Sequence, residues 1–496
     1  MGFKTHRYEN LLLPATNPTL AASTPNNRFN QMKKHTVLVG LCLCIGFINN
    51  VAKAQTTKVE KIEAYMARAH ELGLFKGNVL VADDGKVLYK AAMGFTDASE
   101  KTPLTTQYRF HIGSIAKEFD AVALMMLKDQ GKLSLDDKIS KYLPQLPAWA
   151  NTITIKNLLQ YTSGIPDVKW KTVKTDADNM ADLMQLKNLD FEPGSKYAYN
   201  NNNVFLRRRI IEKITGMPFN QFVTQKILEP CGMNNSLVDP GDNVPLMARG
   251  YDKNLQPDAT SIPISGWTAV TLDDFYKWAQ AIANFKLITP QSTHDILIPV
   301  APGKQSGLGG GSMDGDKLIS HSHDGTAYDY QALLVSDVPK GRTVILFTNS
   351  KNISLYQFNA AIQAILDDQP YAKPAKSILL SFQNKLDSLT GDQFIAFYND
   401  LKKTNAGEYG FDDENSLNEI GYYLRSKNRM ADAIIVFEYN TRLFPNSWNV
   451  YDSLGEAYAD KGDKQKALSN YKKSVQLNPN SQTGKDIIKK LEQPGN

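Results

Sequence analysis

The sequence predicts an α/β (α+β) fold, in which one antiparallel sheet is built from both ends of a domain around a helical insertion, followed by an all-α region. Three observations lead to this prediction. Strand patterns occur near residue 80 and return after residue 317, helical patterns fill most of the sequence between them, and the tail repeats itself at a fixed period. The 496 residues suggest about two to four domains.

The start of the expected sheet is a β-hairpin. Residues 59–73 first show the apolar periodicity of an amphipathic helix. Residues 77–83 and 86–90 are then apolar segments joined by Asp84-Gly85, a dipeptide typical of a two-residue hairpin turn. We therefore expect one helix followed by two antiparallel strands.

The end of the expected sheet comes much later in the chain. Residues 114–290 have a mostly helical pattern, with loops rich in Pro, Gly and Asn. Strand patterns return at 317–323, 330–335 and 343–348, the last two as a hairpin around residues 339–341. We expect a functional site in the cleft between the sheet and the helical insertion.

The tail contains an internal repeat. Residues 421–445 match residues 455–479 at an offset of 34 residues. The matching pairs are Gly421 and Gly455, Lys427 and Lys461, Ala433 and Ala467, Phe437 and Tyr471, and Pro445 and Pro479. This period resembles that of tetratricopeptide repeats. Residues 377–401 predict a helical pair that caps the repeats, unless the repeats dock on the preceding domain, and residues 403–415 predict a loop.

The amino terminus predicts an export signal. Residues 32–34 give a positively charged start, residues 37–48 form an apolar run of 12 residues, and Ala52-Lys53-Ala54 matches the small-x-small cleavage pattern. The run is too short to cross a bilayer, which needs about 20 residues. We expect a signal peptide over residues 32–54 after an over-extended reading frame, and a periplasmic or extracellular protein. The alternative is a short membrane anchor that is retained.

The charge and the cysteines narrow the function classes. The first 54 residues carry the whole net charge of +5, and the rest of the chain is balanced. This balance gives no support to a nucleic acid or an anionic membrane as partner. Only Cys231 remains after the expected cleavage, so we expect no intramolecular disulfide and a small buried hydrophobic side chain.

The first motif that carries chemistry is Ser114-x-x-Lys117, just before an apolar run that predicts a buried helix. Three residues are nearly one helical turn, so the two side chains share a face. Free N–H groups at a helix N-terminus favour negative charge near the serine, and a desolvated lysine can act as a base. This is the arrangement of an activated serine nucleophile. Taken alone, the pattern favours a capped helix with a solvated lysine.

Two further motifs follow in order. Tyr199-x-Asn201 places a phenol and an amide where both can point into one cleft. A tyrosine can relay a proton when a nearby cation lowers its pKa, and an asparagine both donates and accepts hydrogen bonds. His323-x-Gly325 lies on a late strand, where glycine lets a substrate backbone approach. Taken singly, these motifs also fit an Asn-rich loop and a structural histidine.

The ordered set S-x-x-K, Y-x-N and H-x-G resembles the serine β-lactamase and penicillin-binding-protein family, above all its class C branch with esterase, D-aminopeptidase and carboxypeptidase relatives. Residues 158–166 resemble the family's L-L-x-H-T-S-G-I stretch, with Tyr161 where His is common. The resemblance covers about residues 60–350 and implies a β-lactamase-like fold for them.

The resemblance also implies catalytic roles. Ser114 would be the nucleophile, Lys117 its base, and Tyr199 a proton shuttle that acts as base or acid with the lysine. The backbone N–H groups of Ser114 and Thr326 would form the oxyanion hole. The family resemblance implies no cofactor and no metal.

Substrate binding is implied for Asn201, His323 and Gly325. Asn201 would bind the substrate amide, and His323 would occupy the place of the lysine in the family's K-T-G motif. A histidine with an unperturbed pKa of about 6.5 is mostly neutral at pH 7, so it holds a carboxylate less well than a lysine does. The bulky, acidic segment 327–329 also opposes anionic substrates. We therefore expect esters, amides or D-amino-acid peptides as substrates, rather than β-lactams.

These inferences give an exported serine hydrolase that forms an acyl-enzyme on Ser114 with a small-molecule or peptide substrate. The expected segments are an N-terminal region 1–54, a hydrolase domain 55–368, a helical connector 369–412, and repeats 413–496 that offer a surface to a protein partner. No nucleic-acid partner and no membrane span after signal cleavage are expected.

Three alternatives remain open at this point. The protein could be a true β-lactamase, or a non-catalytic scaffold that binds ligands and uses its repeat domain. It could also be a metal hydrolase that uses His321, His323 and Asp324. No second group of ligands with suitable spacing is evident, so no metal is expected.

Overall fold

The computed structural model describes residues 57–241, 244–258, 264–350 and 355–493. The expected signal peptide lies outside these residues. The described chain divides into two compact units. The first contains residues up to Glu63 together with Lys76–Asp367, and the second contains Ala64–Phe75 and the residues from Asp368 onwards. Helix α1 spans residues 57–71, in agreement with the predicted amphipathic helix.

The first unit contains the strands and most of the helices that position the site. Its strands are β1 (Gly77–Asp83), β2 (Lys86–Met93), β3 (Phe110–His111), β4 (Leu237–Val238), β5 (Thr268–Val270), β6 (Gly310–Asp314), β7 (Lys317–Ala327), β8 (Tyr330–Asp337) and β9 (Arg342–Thr348). Its further helices are α2 (Lys117–Asp129), α3 (Ile155–Leu159), α4 (Asp176–Gln185), α5 (Asn201–Thr215), α6 (Phe219–Val223), α7 (Leu272–Ala283), α8 (Pro290–Leu297) and α9 (Leu355–Leu366).

The main sheet is assembled from both ends of this unit, as predicted. It has six strands in the order β2-β1-β9-β8-β7-β6, and the pairs are antiparallel. Strands β1 and β2 are joined by Asp84 and Gly85, whose φ angles of 51° and 71° are those that a tight hairpin turn requires. Strand β1 pairs with β9, Gly77 standing opposite Thr348. A second sheet, of order β3-β5-β4, was not predicted, because its strands are only two or three residues long.

Helix α2 is the central element of the first core. It contains no glycine or proline, and ten of its thirteen residues are buried, which agrees with the predicted apolar run. It ends just before Gly131. The φ angle of Gly131 is 69°, which lies in the left-handed region and does not allow a right-handed helix to continue. The helix contacts α5 and α8, and a short 3-10 turn, Gly113–Ala116, leads into its first residue. The nucleophile candidate Ser114 therefore lies in the turn that opens this helix.

The second unit is helical. After α1 it contains α10 (Ile378–Leu386), α11 (Gly391–Thr404), α12 (Glu414–Ser426), α13 (Met430–Leu443), α14 (Trp448–Lys461), α15 (Lys464–Leu477) and α16 (Gln482–Glu492). Helices α10 and α11 form the predicted pair, and the predicted loop runs between α11 and α12. The recurring glycines have a packing cause. A Cβ on Gly421 would lie 2.4 Å from the Phe437 ring, and one on Gly455 would lie 3.1 Å from the Tyr471 ring.

Cys231 is buried in the core of the first unit, and burial raises the pKa of its thiol to about 11. The side chain therefore serves as a small hydrophobic group, as the sequence predicted. None of the helices in the described part of the chain is long and apolar enough to cross a membrane.

Candidate active site

The structure brings Ser114, Lys117 and Tyr199 together. The Lys117 Nζ atom lies 2.9 Å from the Ser114 Oγ atom, across the turn that opens α2. The Tyr199 hydroxyl lies 3.0 Å from the same Oγ atom and comes from the loop before α5. One hydroxyl oxygen therefore faces both an amine and a phenol, as the motif order predicted.

Lys117 is held in a setting that favours its neutral amine. Its side chain is 2% exposed. Desolvation lowers its pKa from 10.5 to about 7, the Arg208 guanidinium adds to this effect, and the Asp120 carboxylate opposes it. The Lys117 Nζ atom also lies 5.2 Å and 5.0 Å from the ring centroids of Tyr199 and Trp267. An amine with this pKa can accept a proton from a serine near neutral pH.

Tyr199 is held in its protonated form. Desolvation raises the pKa of its phenol to about 12, and the nearby Asp324 carboxylate adds to the rise, against the effects of Ser114 and Arg207. The sequence analysis named a nearby cation as a possible cause of a lowered tyrosine pKa, and Arg207 does act in that direction, but desolvation of the hydroxyl outweighs it. Tyr199 is thus a proton donor at rest, and Lys117 is the better base.

Two buried arginines place positive charge near Lys117 and Tyr199. The sequence analysis did not identify them. Arg207 Nε lies 2.6 Å and Arg208 Nε lies 3.4 Å from the Asp120 carboxylate, and the three side chains are fully buried. Arg207 also lies 5.4 Å from the ring centroid of Tyr161, which packs 4.7 Å from the ring of Tyr199. Charged residues among apolar neighbours on α2 and α5 were the signal that could have indicated this cluster.

The backbone of strand β7 packs directly on the turn that carries Ser114. A Cβ on Gly325 would lie 2.0 Å from the Ile112 carbonyl oxygen and 2.9 Å from the Ser114 backbone nitrogen. A Cβ on Gly113 would lie 2.6 Å from the Thr326 backbone nitrogen. The backbone nitrogens of Ser114 and Thr326 therefore belong to touching segments. Gly325 was expected to let a substrate backbone approach closely. In the structure, the backbone that lies against Gly325 is that of the turn that carries Ser114.

Asn201 is placed at the first position of α5. Its backbone N–H donates to the Asp167 carboxylate at 2.7 Å, and its side-chain amide lies 3.4 Å from the same oxygen. Asp167 also raises the pKa of Lys117 slightly against the effect of desolvation, so it lies near the amine. The contact with Asp167 was not predicted, since 34 residues separate the two partners.

His323 is buried rather than open to the cleft. Its side chain is 3% exposed, and its Nδ1 atom lies 2.9 Å from the Glu118 carboxylate. His321 Nε2 lies 2.8 Å from the same Glu118 oxygen, and Trp278 Nε1 donates to the other oxygen at 2.6 Å. Glu118 is the neighbour of Lys117, and sequence reasoning gave it no role. The expectation that His323 binds substrate stays a prediction.

Carboxylates lie at the end of β7 and in the turn after it, and an aromatic side chain contacts one of them. We call this stretch the rim. Asp324 follows His323 on β7 and accepts a hydrogen bond of 2.9 Å from the Tyr356 hydroxyl. Asp329, in the turn after β7, donates its backbone N–H to Asp258, whose pKa rises to about 6 through burial and the neighbouring carboxylate of Asp329. Asp324 acts on Tyr199, so its carboxylate disfavours a substrate that brings a carboxylate to this side of Tyr199.

The residues that could ligate a metal are already paired. Among the described residues, no group of three or more His, Cys, Asp or Glu side chains is arranged to hold a metal ion. His321 and His323 both turn to Glu118, and Asp324 turns to Tyr356.

The chain is similar to known proteins in two regions. The β-lactamase family model matches residues 59–365, and a tetratricopeptide repeat model matches residues 448–481. Penicillin-binding protein 4* of Bacillus subtilis (strain 168) is 28% identical over 341 residues, which cover 61% of this chain and 74% of that relative. Teichoic acid D-alanine hydrolase of Staphylococcus aureus (strain MRSA252) is 26% identical over 261 residues, which cover 50% of this chain and 64% of that relative.

A solved class C β-lactamase shares the fold. It superposes with a TM-score of 0.55 at 20% sequence identity, covering 64% of this chain and 98% of the other. The family model spans more than half of the sequence. The chain therefore belongs to the β-lactamase family and is a serine hydrolase of the β-lactamase and penicillin-binding-protein type, with a tetratricopeptide repeat near its C-terminal end.

Proposed function

We propose that this protein is an exported hydrolase that forms an acyl-enzyme on Ser114 from an ester, an amide or a D-amino-acid peptide. The observation that carries the proposal is the contact of one hydroxyl oxygen, Ser114 Oγ, with both Lys117 and Tyr199. The opposite pKa displacements of these two groups support separate roles for them as base and acid.

In the acylation step, the neutral amine of Lys117 takes the Ser114 proton while Oγ attacks the substrate carbonyl carbon. The backbone N–H groups of Ser114 and Thr326 stabilise the oxyanion that forms. The Tyr199 phenol protonates the leaving oxygen or nitrogen as its bond to the carbonyl breaks, and it regains a proton from the Lys117 ammonium. The enzyme is then an ester of Ser114.

Deacylation repeats the same proton transfers with water. Lys117 takes a proton from the attacking water molecule, and the second tetrahedral intermediate releases Ser114 as its leaving group. We propose that Asn201 binds the amide of the acyl group, since its side chain stands beside Asp167 at the start of α5. Strand β7, with His323 and Gly325, then forms the edge along which the substrate lies.

The proposed substrate class rests on the charge of the rim. His323 is turned to Glu118, and Asp324 lies near Tyr199, so this edge offers negative charge where a β-lactam carboxylate would need a cation. The relative named teichoic acid D-alanine hydrolase supports an acyl group that carries an amine. We propose that esters and D-amino-acid derivatives are turned over well above β-lactams.

The nucleophile is tested by covalent labelling. A fluorophosphonate probe is expected to add to the purified protein at Ser114, located by mass spectrometry of the labelled peptide. Ser114→Ala should lose labelling and the hydrolysis of p-nitrophenyl esters, with a loss of at least about a thousandfold. Ser99→Ala, which removes an exposed serine hydroxyl from the same unit, should keep both. Equal labelling of Ser114→Ala and wild type would refute the proposal.

The proposed organisation extends beyond the catalytic residues. We propose a hydrolase domain over residues 55–368, a connector over 369–412, and repeats over 413–496 that present a surface to a protein partner. The division of the described chain after Asp367 and the match to a repeat model support this organisation. Relatives named as a penicillin-binding protein and a teichoic acid hydrolase support a location outside the cytoplasm.

A further inference from the structure

Glu118 forms a buried cluster that the proposed chemistry does not use. One carboxylate oxygen lies 2.8 Å from His321 Nε2 and 2.9 Å from His323 Nδ1, and the other accepts a hydrogen bond of 2.6 Å from Trp278 Nε1. The Glu118 side chain is fully buried, as is the ring of Trp278. We call these four residues the carboxylate clamp.

The clamp requires a carboxylate at its centre. Trp278 can only donate, and His321 Nδ1 is buried with no partner among the described residues, so the His321 proton fits on Nε2, facing Glu118. His323 faces the same oxygen. Glu118 therefore meets up to three donors, and a carboxylate is the side chain that accepts on both oxygens and donates on neither. An amide at this position would turn an N–H group towards another donor.

The clamp joins the two segments that supply the oxyanion hole. Glu118 lies in the first turn of α2, directly after Lys117 and one turn beyond Ser114. The two histidines lie on β7, two and four residues before Gly325. Since the β7 backbone at Gly325 and the turn at Ser114 are already in contact, small shifts of β7 change the spacing between the two N–H groups directly.

We propose that Glu118 is a positioning residue, whose buried carboxylate holds β7 against the start of α2 through His321 and His323 and so sets the spacing of the Ser114 and Thr326 N–H groups. This role rests on the proposed acyl-enzyme function. Glu118 acts through the two histidines and the backbone, without touching the substrate. In the same scheme, His323 works through its contact with Glu118 rather than as a substrate-binding cation.

The test compares the Glu118→Gln variant with the wild-type protein. Rates are expressed per active site, and the active sites are counted by titration with the fluorophosphonate probe. We expect kcat for p-nitrophenyl esters to fall on the order of a hundredfold, the usual effect of misplacing one catalytic group by about 1 Å, with KM changed less than about threefold. The affinity for phenylboronic acid, whose tetrahedral adduct on Ser114 places an oxygen in the oxyanion hole, should fall by a similar factor. A merely structural role would lower the titrated fraction and leave both per-site values unchanged.

Two further variants complete the test. Glu118→Gln combined with Trp278→Phe removes the donor opposite the new amide and should recover roughly tenfold of the lost kcat. Asp274→Asn is the matched control, because Asp274 is a buried carboxylate on α7 that also meets three donors, from Asn235, Ser236 and Lys277. Its per-site kcat should stay within about twofold of wild type.

The outcomes are distinguishable. Wild-type kcat per site in Glu118→Gln, or an equal loss in Asp274→Asn, would overturn the positioning role while leaving Ser114 as the nucleophile. Absence of labelling at Ser114 in the wild-type protein would overturn the acyl-enzyme function, and the positioning role with it.

Discussion

At the scale of single residues, the proposed chemistry depends on how far desolvation moves the pKa values of Lys117 and Tyr199 apart. Lys117 and Tyr199 share one partner, Ser114 Oγ, and each would titrate near pH 10 in water. Desolvation disfavours the charged form of each group, so it makes the lysine a weaker base and the tyrosine a weaker acid. At neutral pH a substantial part of Lys117 is therefore a neutral amine, and the Tyr199 phenol is protonated, which is the combination that the proposed acyl transfer needs.

The first residue-level prediction concerns pH. Because the amine of Lys117 must be unprotonated to act as base, kcat/KM for an ester should rise about tenfold per pH unit below pH 7 and level off above it. Stopped or continuous assays between pH 5 and pH 9 measure this profile. Lys117→Arg should abolish activity, because a guanidinium stays protonated.

Lys128→Arg is the control for this change. It lies on the same helix, where its ammonium pairs with Asp295 at 3.1 Å, so activity and pH profile should match those of wild type. A profile that is flat from pH 5 to pH 9, or one that rises only near pH 10, would contradict the role given to Lys117. The same displaced pKa makes stability rise with pH between about 7 and 10, since the unfolded lysine binds a proton that the folded one has lost.

The second residue-level prediction concerns Asp324. Asp324→Asn keeps an acceptor for the Tyr356 hydroxyl but removes a negative charge near Tyr199. We expect the ratio of kcat/KM for the anionic lactam nitrocefin to that for a neutral ester to rise roughly threefold to tenfold, since a partly exposed charge contact is worth about 1 kcal/mol. The effect should shrink in 1 M salt.

Asp316→Asn serves as the comparison, because Asp316 is an exposed carboxylate in the turn before β7. The ratio should not change in that variant. Nitrocefin as the preferred substrate of the wild-type protein would contradict the substrate class, whatever the effect of Asp324.

The candidate catalytic residues could be named from the sequence, whereas their partners could not. Ser114 and Lys117 lie on one helical turn, so their spacing alone predicts that their side chains meet. Asp167 and Glu118 meet partners that are distant in sequence, so only the folded chain shows which residues these are. The raised pKa of Tyr199 could not be predicted, because desolvation of its hydroxyl depends on the whole surrounding structure.

At the scale of elements, the repeat pairs show how one small residue fixes a helical contact. Gly421 on α12 and Gly455 on α14 occupy equivalent positions, and each faces an aromatic ring on the following helix. The absence of a side chain lets that ring approach the helix backbone closely. The recurrence of this pair explains why an offset of 34 residues could be recognised in the sequence.

The prediction at this scale is that Gly421→Ala destabilises the second unit. Alanine favours a helix over glycine by about 1 kcal/mol, but its Cβ would lie 2.4 Å from the Phe437 ring, and overpacking of this kind costs about 1–3 kcal/mol. We expect a net loss of roughly 1 kcal/mol in the free energy of unfolding, measured by urea denaturation. Gly455→Ala, with a nearest contact of 3.1 Å, should lose less.

Gly407→Ala is the control in the same unit, because a Cβ there meets nothing within 4 Å. Its effect should stay within about 0.5 kcal/mol. A Gly421→Ala variant as stable as wild type would mean that the Phe437 ring moves aside at little cost.

At the scale of the whole molecule, the class and the order of elements followed from periodicity, and the short elements did not. Long elements, such as β7 to β9 and α2, show their hydrophobic period over many residues. The sequence therefore predicts whether each is a strand or a helix. The three strands of the second sheet have two or three residues each, too few for a pattern to appear. Their pairing depends on Thr268 to Val270 being enclosed by the rest of the core, which is a tertiary effect.

The pairing of β1 with β9 has a consequence for how the protein is made. Gly77 and Thr348 are opposite each other in the sheet, so the N-terminal hairpin lacks its second neighbour until the chain has been synthesised past residue 348. Contacts of such long sequence separation slow folding. The Thr326 backbone likewise meets the turn that carries Ser114 only after β7 has been synthesised, so the packing of these two segments forms late in the making of the chain.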